Sequence, residues 1–314
     1  MEILKNCKID FLRYGKVALS ISALFILFSF LLLAVRGLNL GLDFTGGVQL
    51  DLQLQKAMPV HQISKKIHQV FSGPNEVRVN RGDSYTVRIP GRSLELKRDL
   101  DQGAGLAERV NRLFPEGKVS NLTYVGAVVS NQIAASGILI VIIAILAITA
   151  YIAMRFERRL AFSAALAILH DPILILGFFS LTQLPFDLVT LAALLTVIGY
   201  SLNDTVVVFD RIRENFRLIE RKMDLAELVP KQVINNSINQ TLSRTSMLSG
   251  MTLTLLLVLL FFGGSLIFEF SLALIIGIIV GTYSSIYVAG FLAYKFGLNH
   301  QMLKPKRQLR RNEV

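Results

Sequence analysis

Long apolar runs set the first reading. Six stretches, 17–35, 132–154, 160–181, 187–209, 245–263 and 270–292, are apolar and long enough to cross about 30 Å of hydrocarbon, which takes about 20 helical residues. The pattern changes between the first and second runs. Val48–Leu54 (Val-Gln-Leu-Asp-Leu-Gln-Leu) alternates apolar with polar, as a half-buried strand does. Pro59 fits a first helical turn, and Val60, Ile63, Ile67, Val70 and Phe71 form an apolar stripe that Gly73-Pro74 ends. Glu76–Asn80 and Tyr85–Ile89 read as strands joined through Arg81-Gly82-Asp83. A second helix is expected within 93–114, weakened by Gly103 and Gly105, and Lys118–Val125 reads as a last strand. The order βαββαβ predicts one small ferredoxin-like α/β domain over 36–131. The expected fold is thus an α-helical polytopic membrane protein with six transmembrane helices, carrying that domain between the first and second.

Composition agrees. Of 314 residues, 53% are hydrophobic and 18% charged, against about 45–50% and 25% in soluble proteins. That excludes a purely soluble enzyme, a disordered chain and a disulfide scaffold. The single Cys7 can neither close an intrachain disulfide nor build a zinc cluster. The net charge of +11 is read as cytoplasmic Lys/Arg, not as a nucleic-acid surface. The N-terminus 1–16, the loop 155–159, the segment 209–245 and the tail from Lys295 hold 20 of the 33 Lys and Arg. Both termini, the loop 210–244 and the basic tail 293–314 are therefore expected in the cytoplasm, with 36–131 opposite. The first run follows Lys5, Lys8, Arg13 and Lys16 like a secretory signal. Its apolar core exceeds the usual ~7–15 residues and no Ala-x-Ala follows, so an uncleaved anchor is expected.

Polar residues inside spans are costly and each calls for a reason. Span 4 carries Tyr200-Ser201-Leu202-Asn203-Asp204-Thr205. Asp204 lies ~25 Å along the helix from Asp187 and ~10 Å before Arg211 at ~1.5 Å per residue. It is therefore inside the apolar zone, nearer the cytoplasm. Ser201, Asp204 and Val208 share one helical face, and Tyr200, Asn203 and Val207 an overlapping one. Desolvation disfavours a charged carboxylate, which would let Asp204 exchange protons near neutral pH; the plainer alternative is a structural carboxyl bonded to a neighbouring helix. Span 3 adds His170-Asp171-Pro172, near mid-depth. His170 and Asp171 would either relay protons with Asp204 or pair within the bundle, and Pro172 would free backbone carbonyls. Arg244 would be a countercharge for Asp204 or an arginine snorkelling to the interface. His61 and His68 read as solvated surface. Asp210–Arg213 and Glu214–Arg217 read as exposed i,i+3 pairs. Gly277-x-x-x-Gly281 in span 6 allows close helix approach. Lys304-Pro305-Lys306-Arg307 and Arg310-Arg311 read as a solvated tail that can touch anionic lipid.

Two motifs make the arrangement familiar. Gly41-Leu42-Asp43-Phe44-Thr45-Gly46-Gly47 resembles the signature of the bacterial SecD/SecF export proteins. Ile198-Gly199-Tyr200-Ser201-Leu202-Asn203-Asp204-Thr205-Val206-Val207-Val208-Phe209-Asp210-Arg211-Ile212-Arg213-Glu214-Asn215 is similar to the SecF form of that family's fourth span. The resemblance covers nearly the whole chain. It implies membership of the resistance–nodulation–division superfamily and a place in the bacterial inner membrane. It implies work with SecD beside the SecYEG channel, often with YajC, using the proton gradient to draw unfolded polypeptide out on the periplasmic side. Asp204 matches the family's proton-pathway aspartate. The outer domain would touch the emerging chain or support SecD's larger one.

In the expected mechanism, protonating Asp204 weakens its pairing with Arg244 or a partner helix and the bundle repacks. Span 1 and Asp43–Gly47 carry the movement outward, with Gly46-Gly47 as flexible backbone. No cofactor or metal is expected, the proton being the coupling ion. No Walker-type, His-Glu-x-x-His or Gly-x-Ser-x-Gly sequence is present, so an enzyme is not expected. The alternatives are a half-size proton-driven exporter of the same superfamily for small molecules or lipids, and a non-transport scaffold with no need of an ionisable group in span 4.

Overall fold

The structure is a computed structural model that describes residues 9–69, 75–79, 83–90, 110–115, 117–220 and 230–297. Cys7, Val70, Phe71, the Gly73-Pro74 stop, Arg81-Gly82, most of the helix expected within 93–114 and the basic tail beyond Gly297 lie outside the described residues.

The described residues contain six helices long and apolar enough to cross a membrane, the mark of a multi-pass membrane protein. They are α1 (Gly15–Val35), α4 (Ala127–Arg155), α5 (Arg158–Thr182), α6 (Leu188–Glu220), α7 (Pro230–Phe262) and a sixth span built from α8 (Ser265–Tyr283), a π-helical stretch (Ser284–Ala289) and α9 (Gly290–Lys295). About half of α5, α6 and the sixth span is buried, while α1, α4 and α7 are mostly exposed. The three buried spans therefore form the centre and the other three lie around them.

Within 210–244, expected as a loop, the described residues 210–220 and 230–244 are helical: α6 runs past Asp210 and α7 starts at Pro230. The reason is an apolar stripe. Ile212 and Phe216 on α6 pack with Val233, Ile234 and Ile238 on α7 in one buried cluster with Phe11 and Leu12. Pro at a first helical position loses no intrahelical bond. The N-terminal segment is bonded to the same region: the amides of Ile9 and Phe11 donate to Asn239 and Asn235 at 3.0 and 2.8 Å.

Between α1 and α4 lies the small sheet domain. A short helix α2 (Leu42–Thr45) leads into β1 (Gly47–Leu54), α3 (Val60–His68), β2 (Glu76–Val79), β3 (Ser84–Pro90) and β4 (Gly117–Val125). The sheet is antiparallel in the order β2-β3-β1-β4, which a ferredoxin-like βαββαβ chain produces. Alternation places Val48, Leu50, Leu52 and Leu54 on one face, where Ile63 and Ile67 of α3, Tyr85, Val87, Ile89, Val110 and Phe114 complete a dry core. The other face is polar: Gln49 accepts from Arg88 at 3.0 Å, and Asp51 from Thr86 at 2.8 Å, between register partners.

Candidate functional site

In each central span a polar stretch interrupts the buried apolar residues. On α5 the buried apolar residues stop at Ile168 and resume at Ile175; on α6 they stop at Ile198 and resume at Val208; on the sixth span they stop at Ile278 and resume at Ile286. The gaps hold His170 and Asp171, Ser201, Asp204 and Thr205, and Ser284 and Ser285, all buried. A polar layer thus crosses the bundle between two apolar clusters.

Asp171 is its node. The carboxylate is fully buried. Its Oδ1 lies 2.8 Å from His170 Nδ1, and its Oδ2 accepts from Ser201 Oγ at 2.5 Å and from Ser284 Oγ at 3.0 Å. One side chain therefore joins α5, α6 and the sixth span. The approach depends on missing side chains. A Cβ on Gly281 would stand 3.2 Å from Ser201 Cβ, and one on Gly277 would overlap the Val197 side chain, so Gly277 and Gly281 are where the sixth span crosses α6.

Asp204 lies one turn beyond Ser201 on α6 and is 2% exposed. Among the described residues, three buried polar atoms in this layer have no hydrogen-bond partner: His170 Nε2, Asp204 Oδ2 and Thr205 Oγ1. No ion pair joins Asp204 to Arg244 among the described residues. Arg244 is exposed on α7 and acts on Asp204 through space. Tyr200 belongs to a second string: its hydroxyl donates to Ser249 Oγ at 3.2 Å, which is 2.9 Å from Thr282 Oγ1. Asn203 is exposed and joins neither group. Glu214 pairs with Arg211 at 2.6 Å, where Arg217 was expected, while Asp210 pairs with Arg213 at 3.0 Å as the spacing implies.

Asp43–Gly47, expected as flexible backbone, lies against the start of α6. Gly41 N donates to Phe186 O at 2.7 Å, and Phe186 N to Asn39 O at 2.8 Å. Phe44 stacks on Phe186 with centroids 6.2 Å apart. Asp43 Oδ2 accepts from Leu188 N at 3.0 Å, so the motif's acid satisfies a free amide at the start of α6. Gly46 (φ 69°) and Gly47 (φ 134°) are buried in a left-handed turn that other residues adopt only with strain. The glycines are needed for the shape of that turn.

Sequence reasoning missed four participants. Ser284 is a buried serine in an apolar run, the signal that singled out Asp204, but serines are common in spans. The Ser249–Thr282 pair is equally inconspicuous. Glu269 fell just outside the span expected at 270–292, yet it is buried and pairs with Arg78 on β2.

The fold and motifs have known counterparts. The family described as "Protein export membrane protein SecD/SecF, C-terminal" matches residues 106–299, and the "SecD/SecF GG Motif" matches residues 31–58. Protein translocase subunit SecF of Vibrio alginolyticus is 41% identical over 310 residues, 97% of this chain and 95% of that protein. That of Escherichia coli O157:H7 is 38% identical, covering 95% of this chain and 91% of that one. The crystal structure of SecDF from Thermus thermophilus superposes with a TM-score of 0.81 at 32% identity over 94% of this chain. This chain spans 39% of that SecDF chain. It belongs to the SecD/SecF family of protein export membrane proteins.

Proposed function

We propose that this chain is the SecF-type half of a proton-driven export unit. It works with SecD, beside SecYEG and YajC, in a bacterial inner membrane. Both termini face the cytoplasm and the sheet domain faces the periplasm, where unfolded polypeptide emerges. The excess of Lys and Arg at the termini and around 209–245 supports that orientation, and the names of the relatives support the export role.

The observation that carries the reading is Asp204. A buried carboxyl with an unpartnered oxygen, one turn from a node joining three spans, is poised to take and give up a proton. His170 Nε2 and Thr205 Oγ1 offer further partnerless stops in the same layer. Protonation removes the charge of Asp204 and with it the pull of Arg244. One elementary charge crossing ~100 mV releases ~2.3 kcal/mol, enough to shift a two-state equilibrium by tens of fold, since ~1.4 kcal/mol is tenfold. The shift repacks α5, α6 and the sixth span around Asp171, and Asp43, capping α6, passes it to the sheet domain. The test is export in cells with the proton gradient intact or collapsed. Asp204→Asn is expected to accumulate and assemble normally while losing the gradient-dependent part. Normal gradient-dependent export by that variant refutes the role.

A further inference from the structure

The sheet domain is held to the membrane spans at more than its covalent connections. The chain enters it at Gly47 and leaves it after Val125, and these two residues are direct register partners on β1 and β4. Both covalent connections therefore leave from one point. Such a paired attachment leaves the domain free to tilt about it. The far edge of the sheet is β2, two strand steps from β1, about 10 Å at ~4.8 Å per step.

There the structure holds a third attachment. Arg78 sits on β2 on the polar face, in register with Thr86 and through it with Asp51. Its Nε and Nη2 donate to Glu76 at 2.9 and 2.8 Å, and its Nη1 reaches Glu269 on α8. Glu269 is 3% exposed. Arg88 and Asp187 act on it electrostatically, so it lies in a charged cluster under the polar face. A buried carboxylate is costly unless a partner compensates its charge, and among the described residues Arg78 is the cation paired with Glu269.

The same helix reaches the polar layer. Ser284 lies 15 residues further on, ~22 Å at ~1.5 Å per residue, and donates to Asp171. It also opens the π-helical stretch Ser284–Ala289, an irregularity that lets a helix change register locally. One rod thus touches the polar layer at its middle and the sheet domain at its outer end.

We propose that Arg78 and Glu269 form the joint through which the sixth span sets the tilt of the sheet domain, so that repacking at Asp171 and Ser284 is read out at the far edge of the sheet. This rests on the proton-driven reading. Arg78 and Glu269 are positioning residues, and their pairing has to stay closed while the domain follows the span.

The test uses the full chain with its partner subunit and measures export of a secretory precursor with the gradient intact and collapsed. Arg78→Glu and Glu269→Arg are each expected to lower the gradient-dependent part at least about fivefold, the lower end of common coupling energies. Gradient-independent export and co-purification with the partner are expected to hold. The double exchange is expected to recover most of the loss. A chain with Cys7→Ser, Arg78→Cys and Glu269→Cys decides the matter if the charge variants fail to accumulate: the reduced form loses the gradient-dependent part and the oxidised form regains it. Full gradient dependence in both single variants, an equal fall with and without the gradient, or a silent oxidised form overturns the joint. If wild-type export ignores the gradient, the proton-driven reading itself has failed and the joint falls with it.

Discussion

The core of the sheet domain and the middle of the bundle are both buried, yet they are built on opposite terms. Under the sheet, Leu50, Leu52, Ile63, Ile67 and Val87 meet with no solvent exposure and no polar side chain among them. In the bundle, His170, Asp171, Ser201, Asp204, Thr205 and Ser284 are all buried between two apolar clusters. Water explains the difference. A domain in water gains about 25 cal/mol for each Å² of apolar surface it hides, whereas spans in lipid gain nothing comparable, because acyl chains are as apolar as leucine. Helices in lipid associate through close approach and hydrogen bonds, as at Gly277, Gly281 and Asp171. The price of that construction is buried polar groups, and where one lacks a partner, as at Asp204, the group is free for work.

The contrast can be broken or sharpened by substitution. Leu50→Ala empties part of the dry core and is expected to destabilise the sheet domain by about 2–5 kcal/mol; a melting temperature unchanged from wild type would mean the domain is held mainly by the spans. Gly47→Val forces a branched side chain into a φ of 134°, at a cost of about 1–3 kcal/mol, visible as a lower midpoint in denaturant. Ser284→Ala removes one bond to Asp171 and is expected to cost only about 0.6 kcal/mol, the mean for such bonds in membrane bundles, yet to slow gradient-dependent export. A loss of stability as large as that of Leu50→Ala would place the layer's value in structure. The smallest effect is outside the spans. Lys231 Nζ lies 3.1 Å from Asp10 and holds its carboxyl below the ordinary carboxylate range. A depressed value stabilises the folded state at neutral pH, and that contribution disappears as pH falls through the carboxylate range, below about 4. The protection factors of the Ile9 and Phe11 amides, corrected for the intrinsic pH dependence of exchange, are expected to fall there and to be unchanged between pH 6 and 8.

Much of the architecture was legible in the sequence. The spans follow from twenty-residue apolar runs, and the core face of β1 and α3 from the alternation of Val48–Leu54 and the stripe through Ile63 and Ile67. Asp204 was legible because an acid in the middle of an apolar run stands out. Ser284 was not, since a serine can bond its own helix, as Ser284 does to Gly281 O at 3.1 Å. Helical spacing put Asn203 on a face with Tyr200 but could not say which of them has neighbours, and in the fold Tyr200 bonds Ser249 while Asn203 is exposed. The positive φ of Gly46 and Gly47 was not legible, because the sign of φ is set by what the turn packs against. Glu269 and Arg78 meet across 191 positions, a pairing that no local pattern announces.

Proton movement through the reconstituted unit tests the central claim most directly. With the chain and its partner subunit in vesicles under an imposed gradient, a pH-sensitive dye in the lumen reports the rate for wild type and Asp204→Asn. The account predicts that the variant, folded and assembled, moves no protons above the rate of empty vesicles. Equal rates for the two proteins would contradict it.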